Sequence, residues 1–142
     1  MKWYLAGPMT GIPQFNFPAV DTATQNLRAA GYDIITPHEQ DSPAVQAAAW
    51  ASPDGKLIAG QVAGETWGQI LARDVRIIAD DVGGIIHLPG WTKSNGALLE
   101  TVVGLLCHRK FMRMDSENLP PVPVSAVVIF WCAVAGLLEK IR

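Results

Sequence analysis

The chain has 142 residues, of which 49% are apolar and 17% are charged, and its formal net charge is -2. This length fits one domain with a real hydrophobic core, and the composition excludes a disordered chain. Because the net charge is slightly negative and no block of Lys or Arg occurs, the sequence argues against binding of nucleic acid, although a single nucleotide stays open as a ligand.

The first part of the chain predicts two strands and one helix. Strand one, Trp3 to Ala6, runs into a loop rich in glycine and proline, Gly7 to Gly11. Such a loop is either a plain tight turn or a place where a ligand approaches the backbone closely. A helix is expected from Phe17 to about Ala30 with Asn16 as its N-cap, and the sequence YDIITP then predicts strand two.

The middle of the chain predicts a long loop and further alternation of helix and strand. Residues Glu39 to Gly64 have little periodicity, and we expect a loop with one short helix around Ala44 to Ala51. A capping-box pair starts a helix from Thr66 to about Ala79. The sequences GGIIHLPG and SNGALLETVVGLLC then predict strand three and another helix, and a short strand follows near Phe111 to Met114.

This alternation predicts an α/β fold, a doubly wound parallel sheet of about four to five strands with helices on both faces. Ligands of such sheets bind beyond the carboxyl ends of the strands. The loop at Gly7-Pro8 and the loop at Pro89-Gly90-Trp91 should therefore lie along the same edge of the sheet.

The end of the chain is an apolar segment, Val122 to Leu138, with no charged residue. A bilayer-spanning helix needs about 20 residues, and Pro123 and Ser125 shorten the helical part further. We therefore expect a core or oligomer-interface helix, with a membrane anchor as the alternative. The predicted organisation is a domain over residues 1–118 and the apolar segment over residues 119–142.

The cysteines and the start of the chain bear on the cellular compartment. Cys107 and Cys132 lie inside apolar runs without a partner at metal-like spacing, and we expect both to be small core residues rather than a disulfide or zinc site. Met1-Lys2 leads directly into strand one without an apolar signal segment. Both observations predict a cytoplasmic protein.

Two acidic residues break the apolar pattern of their helices. Asp74 occupies the position that completes an apolar stripe, and Glu100 lies in a helix that is apolar almost all round. We therefore expect the helix of Glu100 to be largely buried. A buried carboxylate costs several kcal/mol unless it is paired, hydrogen-bonded or faces a cavity. Either each acid meets an arginine, for which the candidates are Arg73, Arg76 and Arg109, or the two carboxylates line a cleft near the glycine loops.

The sequence GWTKSNG before Glu100 predicts an exposed helix N-terminus. Ser94 or Asn95 is a natural N-cap, and Gly96 keeps the first turn open, so the same residues suit a cap or an anion site. Trp91 either stacks on a base or packs at the core edge. His87 alternates with Ile86 and Leu88, which predicts that its side chain packs in the core on the other face of the sheet.

A phosphate-sized cradle, two inward carboxylates and an aromatic side chain together suit cleavage of a bond at the anomeric carbon of a sugar. Such reactions pass through an oxocarbenium-like cation, which a buried carboxylate stabilises or captures covalently. A second carboxyl group orients a sugar hydroxyl or supplies a proton to the leaving group. This chemistry requires no metal and no cofactor.

The motifs YLAGPMTG, LARD and LPGWTKSNGALLE resemble the nucleoside 2-deoxyribosyltransferase superfamily, over roughly residues 2 to 114. The resemblance implies that Glu100 is the nucleophile that attacks C1′ of the sugar, that Asp74 assists in binding sugar or base, and that Tyr4 orients the nucleophile. It also implies homodimers or larger homo-oligomers in which a neighbour closes the pocket.

Further site residues follow from the same resemblance. Relatives that hydrolyse nucleoside 5′-monophosphates carry a phosphate-binding serine where this chain has Ser94, so the resemblance favours a nucleotide over a nucleoside as substrate. The expected substrate and phosphate contacts are Gly7, Pro8, Met9, Thr10, Gly11, Trp91, Ser94, Asn95 and Gly96. The segment Gln40 to Gly64 has no clear counterpart in the superfamily, which leaves the base and the sugar open.

Two other functions stay open at this stage. The first is a nucleotide-binding or sensing module that has lost turnover, which would be stabilised by a ligand without forming product. The second is an interaction protein whose apolar C-terminal segment docks on a partner.

Overall fold

The computed structural model describes residues 1–56 and 65–142. Its strands are β1 (Lys2–Ala6), β2 (Asp33–Ile35), β3 (Gly84–His87), β4 (Lys110–Arg113) and β5 (Val122–Val124). Its helices are α1 (Phe17–Ala29), α2 (Pro43–Trp50), α3 (Trp67–Arg76), α4 (Asn95–Leu106) and α5 (Ala126–Ile141). The short helix predicted in the long loop is confirmed as α2, and residues 57–64 of that loop lie outside the described part.

The strands form one five-stranded sheet in the order β2-β1-β3-β4-β5. β1 pairs in parallel with β2 and β3, and β3 pairs in parallel with β4, whereas β5 runs antiparallel to β4. Successive side chains of the central strands point to opposite faces of the sheet, as the two-residue period of a strand requires. The predicted α/β fold is confirmed, and the carboxyl ends of β1 and β3 are adjacent.

Each face of the sheet carries its own hydrophobic core. Leu5 and Ile86 point to one face, where they pack with α1 residues such as Leu27. Tyr4 and Ile85 point to the other face, where they pack with residues of α4 and α5 and of the turn after α3. The neighbours Tyr4 and Leu5 are 0% and 1% exposed, so the sheet is covered by helices on both sides.

Asn16 does not cap α1 with its side chain, contrary to the prediction. Its backbone adopts a left-handed conformation, φ 60°, and its Nδ2 instead donates a hydrogen bond of 2.9 Å to the carbonyl oxygen of Pro8. Gln14 and Phe15 also have positive φ values, 55° and 51°. The turn before α1 is therefore strained, and the Asn16 side chain ties it to the glycine loop after β1.

The apolar segment after residue 121 is not one continuous helix. Val122–Val124 forms the edge strand β5, in which Pro123 lies opposite Met112. Proline has no N–H group, and an edge strand accommodates it because one side of the strand has no neighbouring strand to bond. Ser125 then caps α5, since its Oγ accepts a hydrogen bond from the amide of Val128. No helix in residues 1–56 and 65–142 has both the length and the apolar character to cross a bilayer.

The expectation that both cysteines are core residues is wrong. Cys132 is exposed on α5 and Cys107 is half-buried, so neither is a fully buried core residue. The helix α4 is largely buried, as expected, although Leu99 and Leu106 are 39% and 75% exposed. Only one side of α4 packs against the sheet, and Glu100 lies on that side.

Candidate active site

A cavity of about 960 Å³ opens at the carboxyl ends of β1 and β3. Its wall includes most of the residues predicted from the sequence, namely Gly7, Pro8, Met9, Thr10, Asp74, Ser94, Asn95, Gly96 and Glu100. Gly11 and Trp91 are not part of this wall, and Tyr4 reaches the site through its hydroxyl group alone. The loops that follow two neighbouring parallel strands thus meet at one site, as the topology predicts.

The two glycines of the loop after β1, Gly7 and Gly11, are required for different structural reasons. A Cβ atom on Gly7 would lie 2.8 Å from the Cβ of Leu88, so only glycine allows the ends of β1 and β3 to approach this closely. Gly11 has φ +85° and its amide donates to the carbonyl of Gly55 at 2.9 Å, which makes it a turn residue. Both alternatives for this loop therefore apply, each to a different part. Gly7 to Thr10 line the cavity, and Gly11 forms a tight turn.

Glu100 lies in the second turn of α4 and is 6% exposed. The Tyr4 hydroxyl, which is fully buried in β1, donates a hydrogen bond of 2.7 Å to its Oε1. The salt bridges within residues 1–56 and 65–142 do not include Glu100, so the proposed structural pairing with an arginine does not apply to it. Burial raises the pKa of Glu100 to about 8, and the Tyr4 hydrogen bond opposes that rise.

Asp74 is also buried, but it does have the arginine partner that the alternative predicts. Arg73 contacts Asp74 Oδ1 at 2.9 Å, and the same guanidinium contacts Asp41 Oδ1 at 2.8 Å. Burial raises the pKa of Asp74 to about 6, while Arg73 opposes the rise. One arginine thus holds two carboxylates at the cavity wall, and Asp41 is a site residue that sequence reasoning missed.

The N-terminus of α4 forms another part of the cavity wall. Ser94 Oγ accepts a hydrogen bond of 3.2 Å from the amide of Ala97, which confirms Ser94 as the N-cap. Asn95 and Gly96 follow with the open first turn of the helix, whose amides and dipole favour an anion. Lys93 lies next to this turn and also lines the cavity.

Trp91 and His87 form a stacked pair in the core. Their ring centroids are 4.1 Å apart, and Trp91 is only 9% exposed, so Trp91 packs at the core edge rather than offering its ring to a ligand. His87 bonds the hydroxyl of Thr101 through Nε2 at 2.8 Å, and burial lowers the pKa of His87 to about 3. The predicted core position of His87 is confirmed, and its imidazole stays neutral.

The apolar wall of the cavity includes side chains that lie outside the motifs identified in the sequence. Phe15 belongs to the strained turn before α1, and Trp67, Ile70 and Leu71 come from α3. Trp67 belongs to the apolar stripe of α3 and is nevertheless 51% exposed. This half-open apolar surface, together with Phe15, suits a planar aromatic ligand group.

The raised carboxyl pKa values predict how stability depends on pH. A folded pKa of about 8 for Glu100, against an ordinary value of 4.5, means that the folded chain keeps a proton which the unfolded chain releases. The free energy of unfolding should therefore fall as pH rises from about 5 to 8, by up to about 4 kcal/mol, and stay low above pH 8. Urea denaturation from pH 5 to pH 9 measures this slope.

The matched variant for this measurement is Glu100→Gln, which keeps the shape and removes the titration. Its free energy of unfolding should vary less over the same pH range, with a remaining slope below pH 6 from Asp74. A wild-type stability that rises between pH 5 and pH 8 would contradict the assignment of a buried, proton-holding Glu100.

Comparison with known proteins identifies the family of the chain. No curated protein and no solved structure matches the chain. A family model described as a domain of unknown function, DUF4406, matches residues 1–112. This range contains β1, β2, β3 and all of β4 except its last residue, together with the cavity residues from Gly7 to Glu100, and the match covers well over half of the sequence. The chain therefore belongs to the DUF4406 family.

Proposed function

We propose that this protein cleaves the N-glycosidic bond of nucleoside or deoxynucleoside 5′-monophosphates, with Glu100 as the nucleophile. The observation that carries the proposal is the Glu100 carboxyl group, which is buried at the wall of a large cavity and is held by a tyrosine hydroxyl instead of an arginine. A carboxylate that an arginine neutralises is a poor nucleophile, whereas a hydrogen bond from a phenol orients the group and leaves it reactive.

The reaction proceeds in two displacements at C1′ of the sugar. First, a Glu100 oxygen bonds to C1′ while the C1′–N bond breaks, and the base leaves with the bonding electrons and takes a proton from Asp74. Water then attacks C1′, the ester bond to Glu100 breaks, and the proton of the water returns to the carboxyl pair. If a second base replaces water in this step, the product is a new nucleotide.

The two carboxyl groups together hold the number of protons that this reaction requires. With pKa values near 8 and 6, Glu100 and Asp74 carry one proton between them at neutral pH. The proposed attack requires that this proton pass to Asp74 as Glu100 bonds to C1′, so that Glu100 acts as the nucleophile and Asp74 as the acid. Burial and the charges of Glu100 and Asp74 raise the pKa of Tyr4, so its hydroxyl stays protonated and keeps donating to Glu100.

The phosphate end of the substrate is assigned to the N-terminus of α4. Ser94, Asn95 and Gly96 line the cavity six, five and four positions before Glu100 on the same helix. A rise of 1.5 Å per residue separates Ser94 from Glu100 by about 9 Å along the axis. This spacing suits a pentose with its phosphate at one end and C1′ at the other, and the resemblance of LPGWTKSNGALLE to nucleotide-hydrolysing relatives supports the same placement.

The direct test is incubation of the full chain with a panel of nucleotides and their nucleosides. Each is supplied with and without a free acceptor base, and chromatography detects the released base or the exchanged nucleotide. We expect release from at least one 5′-monophosphate, and exchange will identify a transferase. If the chain binds these compounds and releases no base from any of them, the proposed reaction is wrong.

The alternative is a nucleotide-binding module without turnover. One observation favours it: at neutral pH the raised pKa keeps Glu100 uncharged, and an uncharged acid does not repel an anionic ligand. This module would show a ligand-dependent rise in melting temperature with no product. The chromatography panel and a thermal-shift series on the same samples separate the two functions.

We also propose a homodimer or larger homo-oligomer, with α5 at the interface. The outward side chains Val127, Trp131 and Leu138 are 67%, 64% and 50% exposed, which is unusual for apolar residues on one helix of a monomer. We expect sedimentation to give the mass of an oligomer for the wild type and of a monomer for Trp131→Glu. Leu119→Glu, at an exposed apolar residue outside α5, is the control and should keep the oligomer.

A further inference from the structure

One face of α5 packs against the protein and ends in a lysine. Ile129, Ala133, Gly136 and Lys140 follow at helical spacing, so they share one side of the helix. Ile129 and Ala133 are each 2% exposed and belong to the core that also contains Leu98 of α4. Lys140 therefore lies on the side of α5 that packs against the protein, although the residue itself is exposed at the end of the helix.

Gly136 brings the end of α5 into direct contact with the turn before α4. A Cβ atom at this position would lie 2.7 Å from the carbonyl oxygen of Thr92, so a larger residue would push the helix away. Thr92 lies in the short turn Trp91–Lys93, which leads into the N-cap Ser94. The contact fixes the last turn of α5 beside the predicted phosphate end of the cavity.

The ammonium group of Lys140 is held in place at the cavity wall. Its Nζ donates a hydrogen bond of 2.7 Å to the carbonyl oxygen of Lys93, and both lysines line the same cavity as Ser94 and Gly96. An ammonium group has three N–H donors, so two remain for a ligand. Because the bond to Lys93 already restricts the long side chain, binding a ligand costs less conformational entropy.

The charges of the cavity place a cationic region at this end. Arg73 is paired with Asp41 and Asp74, whereas neither Lys93 nor Lys140 takes part in a salt bridge within the described residues. The positive end of the α4 dipole adds to the charge of the two lysines. An anionic group of a ligand is therefore favoured here and disfavoured near the carboxyl pair.

We propose that Lys140 binds the 5′-phosphate of the substrate and so sets the preference for nucleotides over nucleosides. This inference rests on the proposed function and extends it by one residue. Lys140 lies outside residues 1–112, the range that the family match covers. The C-terminal helix thereby contributes a phosphate ligand to a site that is otherwise built from the matched domain.

The test compares Lys140→Met with the wild type on paired substrates, the four deoxynucleoside 5′-monophosphates and the four deoxynucleosides. We expect the ratio of kcat/KM for monophosphate over nucleoside to fall about tenfold or more, mainly through KM, since a hydrogen bond to a charged group is lost. Calorimetric Kd values for the same monophosphates should rise by a similar factor. Lys140→Arg should retain most of the preference.

Lys110→Met is the matched control, because Lys110 is exposed at the amino end of β4, the opposite edge of the sheet. It should leave the ratio as in the wild type. An equal ratio in Lys140→Met and wild type would overturn the role of Lys140 and leave the proposed reaction intact. If no base is released but monophosphate binding depends on Lys140, the reaction is wrong and the phosphate site stands; if no monophosphate binds, both are wrong.

Discussion

Replacement of Glu100 by glutamine should reduce base release by about 10³-fold or more. The amide has nearly the shape of the carboxyl group and its oxygen can still accept the Tyr4 hydrogen bond, so the cavity should keep its form. It cannot form an ester with C1′, and this loss removes the covalent step. Initial rates on the best 5′-monophosphate, measured by chromatography, give the effect.

Circular dichroism and urea denaturation serve as controls for folding in this variant. Glu100→Gln should be at least as stable as the wild type at pH 8, because it no longer buries an ionised group. Glu117→Gln changes the same side chain outside the cavity wall and should retain wild-type rates. Base release that survives in Glu100→Gln would rule out the covalent role, whatever the substrate is.

Replacement of Arg73 by methionine should cost about 3 kcal/mol of stability or more. The guanidinium is the shared partner of Asp41 and Asp74, and its removal leaves a half-buried and a buried carboxylate without their cation. Desolvation would then raise both carboxyl pKa values further, so the loss should be larger at pH 8 than at pH 5. Urea denaturation at these two pH values measures it.

Arg76→Met is the matched control in the same helix. Arg76 is 64% exposed and meets Asp81 at 3.8 Å, a surface pair whose loss should change the free energy of unfolding by less than about 1 kcal/mol. If Arg73→Met were no more destabilising than Arg76→Met, the two aspartates would have to be solvated and the cavity would be more polar than described.

Local patterns in the sequence predicted the parallel strands of the sheet and the part of the site that contains Glu100. Alternation within YLA and GIIH, with Gly and Pro after each strand, indicated buried parallel strands whose loops meet. Glu100 was identifiable because a carboxylate among leucines and valines conflicts with the binary pattern of its helix. Such conflicts are informative because a buried charge is costly and therefore has a structural reason.

The contacts that the sequence could not reveal depend on tertiary packing. Asp41 meets Arg73 across 32 positions, and Lys140 meets Lys93 across 47, and neither pair has a local pattern. The edge strand β5 escaped prediction because its three residues continue an apolar run, although Pro123 and Ser125 were the available signals. Asn16 was expected to act as a cap, but its hydrogen bond to Pro8 competes with that role.

The bond between Tyr4 and Glu100 also makes the site observable without a label. The chain has two tyrosines, and Tyr32 packs edge-on against Trp3 with ring centroids 6.4 Å apart. The vibrational bands of a phenol change with the strength of the hydrogen bond that it donates, and a carboxylate accepts more strongly than a carboxylic acid. Ultraviolet resonance Raman spectra of Tyr4 would thus report the charge of Glu100 as the pH changes or a ligand binds.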